Sequence, residues 1–273
     1  MSAPVLGHMY LLIKIHKKNF PGRAVVSQID DPTYKVCEIR TGILNPLAQK
    51  GEWYIENSYE LKKHLSLWKI DERDIQASLD VIALYTSIPI ENSLECTRSK
   101  LLNDETLAER TDWSAEDIIK LLRICLETHF KTIDGWIFTQ TDGTPIGKPI
   151  SGPLADIYMI WFEEQHIFND NNVFKPYIKL WKRFWDDIYI IWNGGHDTLD
   201  CFFWQLNYKE PKIQFTIERE EWHFGFPWYL DSQISWQISH KGILQRDTHP
   251  EIYPLVLKLV ENLQTRCFER SHS

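Results

Sequence analysis

Asp186 and Asp187 are adjacent carboxylates set between two short apolar runs, Phe184-Trp185 before them and Ile188-Tyr189-Ile190-Ile191-Trp192 after. Runs so rich in β-branched and aromatic residues read as strands, and the pattern predicts a β-hairpin with the acids at its tip. Adjacent carboxylates in apolar surroundings repel one another, and a divalent cation that neutralises them is the usual reason for keeping both. A third carboxylate, Asp80, closes a similar apolar strand in Ser78-Leu79-Asp80-Val81-Ile82-Ala83-Leu84-Tyr85. One strand-borne acid and a hairpin-borne pair are the parts that two-metal nucleotidyl transfer requires, with ions ~3.5–4 Å apart.

The chain carries its own control for the dipeptide. Asp30-Asp31 is also an acid pair, but Pro32 follows it and no apolar strand continues, so it reads as a turn. The bland reading of Asp186-Asp187 is a solvated hairpin tip. The weight therefore falls on Asp80 and on the elements between the two.

Those elements can be traced along the chain. Residues 1–50 read as strands and turns, with strands at Tyr10–Ile15 and Arg23–Ser27 and Pro21-Gly22 between them. A helix over 58–68, a strand over Gln76–Val81 and a helix over 91–102 follow. Ser114 with Glu116 and Asp117 behind it is an N-terminal cap signal opening a helix to about Thr128. Phe130–Phe138 reads as a hairpin turning at Asp134-Gly135. The loop Thr141–Pro149, with its paired Gly and Pro residues, precedes a helix over Ser151–Phe168. The acid-tipped hairpin spans 177–185 and 188–192. A helix over 197–207, a strand over 212–218 and a hairpin over 226–238 complete the order of an α+β, ferredoxin-like split βαβ fold with extra strands.

Composition fits a folded chain. Apolar residues make up 43%, which excludes a disordered class. The five cysteines are odd in number, scattered and without CxxC spacing, so neither a disulfide framework nor a zinc site is supported. No apolar run approaches ~20 residues and no signal-peptide pattern opens the chain, so an intracellular, unsecreted protein without a membrane partner is expected. The net charge of -8 disfavours nucleic-acid binding as an average, but its distribution does not. Residues 1–29 hold Lys14, Lys17, Lys18 and Arg23 and no acid. A second basic group, Lys175, Lys179, Lys182 and Arg183, leads into the acid hairpin, and local stripes matter more for phosphate than the total. For any one of these lysines a solvated face is the ordinary fate. The surplus of 12 Trp, 11 Tyr and 13 Phe is expected to be mostly core, with some rings free to stack on bases.

Several segments together resemble a family. Leu79-Asp80-Val81 with Leu84-Tyr85-Thr86 and Ile88-Pro89, then Asp142-Gly143-Thr144 with Gly147 and Pro149, then Arg183-Phe184-Trp185-Asp186-Asp187, are similar to reverse-transcriptase motifs A, B and C in order. Lys14-Ile15-His16-Lys17, Arg23 with Val25-Val26-Ser27, and Asp31-Pro32-Thr33-Tyr34 resemble the polymerases of Penelope-like retroelements. Ile213–Glu218 and Pro227–Asp231 resemble that group's palm segments after motif C. The likeness runs from about residue 10 to about residue 250.

The resemblance implies a right-hand polymerase palm with partial fingers and a truncated thumb: a fingers-like segment over 1–70, the palm over 71–240 and a partial thumb or connection over 241–273. It implies an RNA-directed DNA polymerase of retrotransposon origin. The expected partners are an RNA template, a DNA or RNA primer and dNTPs, and a nuclear location goes with that origin. Asp80 and Asp186 become the principal metal ligands, with Asp187 assisting and the Val81 carbonyl as a further ligand. Two Mg2+ ions suit all-oxygen ligation with phosphate partners, with Mn2+ able to stand in. Lys14 and Arg23 are placed to hold the triphosphate. Tyr85 becomes the bulky gate that excludes a 2′-hydroxyl, on the opposite face of a continuing strand from Asp80. Asp142 and Gly143 shape the floor under the nucleotide, where the backbone must pass close to the ligand. Lys17, Lys18, Gly147, Lys148 and Arg183 fall to the primer and template. The chain departs from the family at Lys148, where a small residue is usual, at Trp185, where aliphatics are commoner, and at Ala24, which replaces a frequent Pro. No counterpart of the GIY-YIG endonuclease carried by many relatives follows. A catalytically silent relic that keeps the fold and binds RNA, and an RNA-templated RNA polymerase, are the competing readings.

Overall fold

The computed structural model describes residues 6–13, 22–29, 31, 33–48, 50–132 and 134–219, with two short paired strands at Gln237–Ile238 and Leu244–Gln245. In chain order the elements are β1 (Gly7–Ile13), β2 (Gly22–Ser27), α1 (Tyr34–Leu44), α2 (Ser58–Leu67), β3 (Ile75–Val81), α3 (Leu84–Ser87), α4 (Ile90–Leu102), α5 (Leu107–Arg110) and α6 (Ala115–Leu126). They continue with β4 (Thr128–Lys131), β5 (Ile137–Gln140), α7 (Ser151–Phe162), β6 (Ile178–Phe184), β7 (Asp187–Trp192), α8 (Gly195–Lys209) and β8 (Phe215–Arg219). The protein is α+β, as expected, and its chain forms two discontinuous compact units.

One unit holds Glu52–Val81, Asp170–Lys209 and the residues from Gln214 on. Its sheet has the order β6-β7-β3-β8 with every neighbouring pair antiparallel. Numbered along the chain within this sheet, that order is 2-3-1-4, the arrangement a split βαβ unit produces. β3 is central and almost wholly buried: Ala77 and Leu79 pair with a strand on either side, Ile75 with β7 and Val81 with β8. Ile55, Leu61, Leu180, Phe184, Tyr189 and Ile191 form one apolar cluster. Trp192 and Phe202 stack with centroids 5.0 Å apart, and Trp181 meets Phe202 edge-on at 6.3 Å. Much of the aromatic surplus is therefore core, while Trp136, Trp204 and Tyr208 stay exposed.

The other unit holds the residues up to Gly51, Ile82–Asn169 and Glu210–Ile213. Its mixed sheet has the order β2-β1-β4-β5, with β1 parallel to β4 and the other pairs antiparallel. α7 is apolar nearly all round and buried along its length, with α1, α3 and α4 packed against it. α6 starts as its cap signal predicts: Ser114 Oγ accepts from Asp117 N at 3.2 Å, and Glu116 and Asp117 complement the helix dipole.

Several expectations need correction. Residues 1–50 contain a helix, α1, as well as strands. At Asp31 the turn reading holds, since Asp31 N donates to Gln28 O at 2.9 Å, and Asp31 Oδ1 accepts from Thr33 N at 2.8 Å just ahead of the helix. The strand carrying Asp80 ends at Val81, because Ala83 adopts a left-handed backbone (φ 50°) and Leu84–Ser87 then coils. Tyr85 thus sits on a helical turn and not on a continuing strand. The helix from Ser151 ends at Phe162 and passes into a wider π turn over Glu163–Ile167. The strand expected over 212–218 begins at Phe215, not 212. The hairpin expected over 226–238 lies outside the described residues apart from Gln237–Ile238, as do Lys14, Lys17 and Lys18.

Candidate active site

The acids meet on adjacent strands. β3 and β7 pair antiparallel with Asp80 opposite Asp187, and Phe184 pairs with Asp187 across the hairpin, leaving Trp185 and Asp186 as a two-residue turn. Residues directly opposite on an antiparallel pair share a face with Cβ atoms about 4.5–5.5 Å apart. Asp187 is buried (4% exposed), whereas Asp80 and Asp186 are half-buried. The resemblance singles out Asp186 as the partner of Asp80, yet the register sets Asp187 opposite it. Asp186 is tied in differently: its carbonyl accepts from Val81 N at 2.9 Å, joining the peptides that follow the two acids. Val81 is itself buried and lies opposite Phe215 of β8.

The turn is strained and closely supported. Trp185 has φ 56°, a left-handed backbone that a bulky residue seldom adopts and that costs about 1–3 kcal/mol. A positive first residue is what two-residue hairpins with the right twist need. The indole packs against the apolar cluster around Ile55 and meets the Tyr54 ring edge-on at 6.3 Å. Arg183 Nη1 donates to Trp185 O at 3.2 Å. Strand β6 is flanked by Trp53–Ile55, through Arg183 N to Trp53 O at 2.8 Å and Ile55 N to Arg183 O at 2.9 Å.

Among the described residues no three His, Cys, Asp or Glu side chains gather as a metal-binding group. Magnesium, however, is commonly held by one or two carboxylates together with substrate phosphates and water. Two opposed carboxylates with a third beside them suit that chemistry in donor type and number.

The unit containing Tyr85 has its own local order. Tyr85 is half-buried, and its carbonyl accepts two bonds from Thr144, from N at 2.6 Å and from Oγ1 at 3.0 Å. Gly143, at φ 73°, lies so close to Thr86 that a Cβ there would be 2.4 Å from the Thr86 carbonyl oxygen. Asp142 is exposed and ion-paired to Lys212, whose ammonium holds the Asp142 carboxyl below the usual carboxylate range. Thr144 is the residue that the motif reading left without a role. Its place after Asp142-Gly143 was visible, but which carbonyl it would serve was not. Arg23 is exposed on β2, opposite Leu12.

Two cations assigned to primer and template lie inside the protein. Lys148 has no exposed side chain: its Nζ donates to Cys125 O at 2.5 Å and Thr33 Oγ1 at 3.1 Å, with Asp31 at 3.9 Å. Burial lowers the pKa of its ammonium. Gly147 beside it is exposed. Arg183 is fully buried, with its guanidinium carbon 5.7 Å from the Tyr54 ring centre. The rest of the second basic group is also spoken for. Lys175 pairs with Asp170, Lys179 with Asp71 and Asp74, and Lys182 Nζ donates to Glu52 O at 3.0 Å. Among the described residues, Lys175, Lys179, Lys182 and Arg183 satisfy buried or neighbouring acceptors and do not form the open basic stripe expected ahead of the hairpin.

No protein-family profile matches the sequence, and no curated protein is similar to it at the level of sequence. Solved structures do match. Apo telomerase from Candida tropicalis, truncated from its C-terminal domain, aligns over 80% of this chain with TM-score 0.56 and 16% identity. Telomerase from Candida albicans, in complex with a TWJ fragment of telomeric RNA, aligns over 91% with TM-score 0.57 and 10% identity. The BmCPV RNA-dependent RNA polymerase at its elongation state aligns over 79% with TM-score 0.52 and 12% identity. The chain spans 51% and 46% of those telomerase chains and 20% of the viral one. At such identities the likeness is one of fold. The fold is similar to that of the telomerase and viral RNA-dependent RNA polymerase chains. Among the described residues no helix is long and apolar enough to cross a membrane.

Proposed function

We propose that this chain is the RNA-directed DNA polymerase domain of a Penelope-like retroelement, extending a primer 3′-hydroxyl with dNTPs on an RNA template. The observation that carries the reading is the opposition of Asp80 and Asp187, with Asp186 bonded to the peptide after Asp80. Like charges directly opposite on a sheet are destabilising, so keeping them calls for a function. In this reading the β6-β7-β3-β8 sheet is the palm's core, within 71–240, with fingers over 1–70 and a partial thumb over 241–273.

Asp80, Asp186 and Asp187 lie at one end of β3 and β7, and in this reading their carboxylates would hold two Mg2+ ions. When bound, such ions make the primer hydroxyl more acidic and stabilise the leaving pyrophosphate. Arg23, with Lys14, binds the triphosphate through charge-assisted bonds. Tyr85 excludes a 2′-hydroxyl sterically, and Asp142-Gly143 shapes the nucleotide's floor. Lys17, Lys18 and Gly147 remain with the primer and template.

Primer extension on poly(rA) with dTTP or UTP tests the assignment. Extension with dTTP that needs Mg2+, and that Asp186→Asn lowers at least ~100-fold, is the expected result, in line with the large effect of removing transition-state electrostatics. Preference for UTP would move the chain to the RNA polymerases. Absence of extension with either would favour the silent relic.

A further inference from the structure

We infer that Arg183 is a positioning residue for the acid site, acting through the peptide that precedes Asp186 and not through nucleic acid. The inference rests on the polymerase reading above. A carboxylate's direction is set by its Cα–Cβ bond, which in turn follows the two peptide planes that meet at the Cα. At Asp186 both planes are held. The preceding peptide presents Trp185 O to the Arg183 guanidinium at 3.2 Å, and the following one presents Asp186 O to Val81 N at 2.9 Å. Val81 belongs to the strand of Asp80, so one bond couples Asp186 to Asp80 while the other couples it to a fully buried cation. Something must hold this turn, because Trp185 is left-handed at φ 56° and left-handed backbone persists in a bulky residue only when its surroundings enforce it. The guanidinium is well placed to do so. Its own backbone is fixed to Trp53 and Ile55, and Tyr54, between them, lies against both the guanidinium and the Trp185 ring. Arg183 thus ties the turn to a packed segment, and its burial withholds it from a phosphate. Groups that orient metal ligands in this way are typically worth about 10–100-fold in metal affinity.

The test uses the full chain and Mn2+ alone as probe, followed by electron paramagnetic resonance well below the unfolding temperature, beside binding of a single-stranded RNA at several salt concentrations. Arg183→Met is expected to weaken Mn2+ binding about 10–100-fold while leaving RNA affinity and its salt dependence unchanged. Arg183→Lys, which still donates to a carbonyl but lacks the planar fork, should recover part of the loss, and it carries the test where Arg183→Met does not fold. A merely structural role predicts a lower Tm with wild-type Mn2+ affinity in the folded protein, which overturns the inference. So does a salt slope reduced by about one, the mark of a lost phosphate contact. Asp80→Asn and Asp186→Asn separate the two levels. If neither changes Mn2+ binding to the wild-type Arg183 background, the acid-site reading itself fails. If both weaken it and Arg183→Met does not, only the role of Arg183 fails.

Discussion

Gly143→Ala should cost far more than a glycine in an exposed loop normally does. The residue sits at φ 73°, where an L side chain pays about 1–2 kcal/mol. Narrowing of the unfolded ensemble by Ala returns about 0.4–1 kcal/mol of that. The larger effect is contact: the new Cβ would lie 2.4 Å from Thr86 O and 2.6 Å from Thr86 C and Cα, all backbone. Ordinary carbon contacts are about 3.5–4.0 Å, so the loop or the α3 turn must shift by roughly 1 Å. Overpacking of this kind typically costs about 1–3 kcal/mol. The shift also pulls at the two bonds from Thr144 to Tyr85 O, each worth about 0.5–1.5 kcal/mol. The expected loss is about 2–5 kcal/mol, and Tyr85 moves with it. Urea unfolding of Gly143→Ala beside Gly135→Ala measures it, because Gly135 is also left-handed (φ 88°) but its nearest neighbour is the flexible Lys131 Cε at 3.6 Å. Gly135→Ala should lose only about 1 kcal/mol. Equal losses in the two variants would refute the clash argument.

Asp187→Asn removes one of two opposed charges about 5 Å apart, an interaction of roughly 1–3 kcal/mol between aqueous and near-surface screening. Its Tm in EDTA should therefore match or exceed wild type, and added Mg2+ should stabilise wild type more. A clear drop in EDTA would show that the pair is not repulsive. Tyr85→Val should raise ribonucleotide relative to deoxynucleotide incorporation by ~10–1000-fold in kcat/KM, about 1.4–4 kcal/mol; an unchanged ratio removes the gate role from Tyr85. Burial holds Lys148 below its ordinary value of 10.5, so the folded protein gives up this proton before the unfolded chain does. Its contribution to stability is unfavourable at neutral pH and is relieved as pH rises toward 10.5. Urea midpoints at pH 8 and pH 10 should show that rise in wild type and a smaller one in Lys148→Met.

The acid hairpin was legible because Ile188–Trp192 is β-branched or aromatic throughout, and the Asp80 strand because Ala77, Leu79 and Val81 alternate with polar residues. Their adjacency was legible from chemistry, since three carboxylates on apolar strands make sense together. Which acid faces Asp80 was not, because it depends on a turn of two residues, and a one-residue difference exchanges the faces of a strand. α1 was missed because only Cys37, Ile43 and Leu44 of it are buried, too few to print a helical period. The coil around Tyr85 was missed because nothing in Ile82-Ala83-Leu84 marks the left-handed Ala83. Lys148 and Arg183 were read as nucleic-acid contacts because a charged side chain is exposed by default. The burial of Lys148 rests on an acceptor from a distant segment, Cys125, and that of Arg183 on the Trp53–Ile55 segment packed against it.

The central position of β3 has a consequence for how the molecule is made. Every strand it pairs with is remote: Asp80 meets Asp187 on one side and Thr216 on the other, 107 and 136 positions later by subtraction. Such non-local pairing is slow, since loop closure must precede any gain from contact. During synthesis at about 5–20 residues per second, β3 emerges roughly 5–20 s before its first partner exists. Through that interval a strand that ends almost wholly buried has neither of its neighbours, and its acid is held apart from the charge it will later oppose. The site thus waits on β7, long after the strand that carries its first acid has been made.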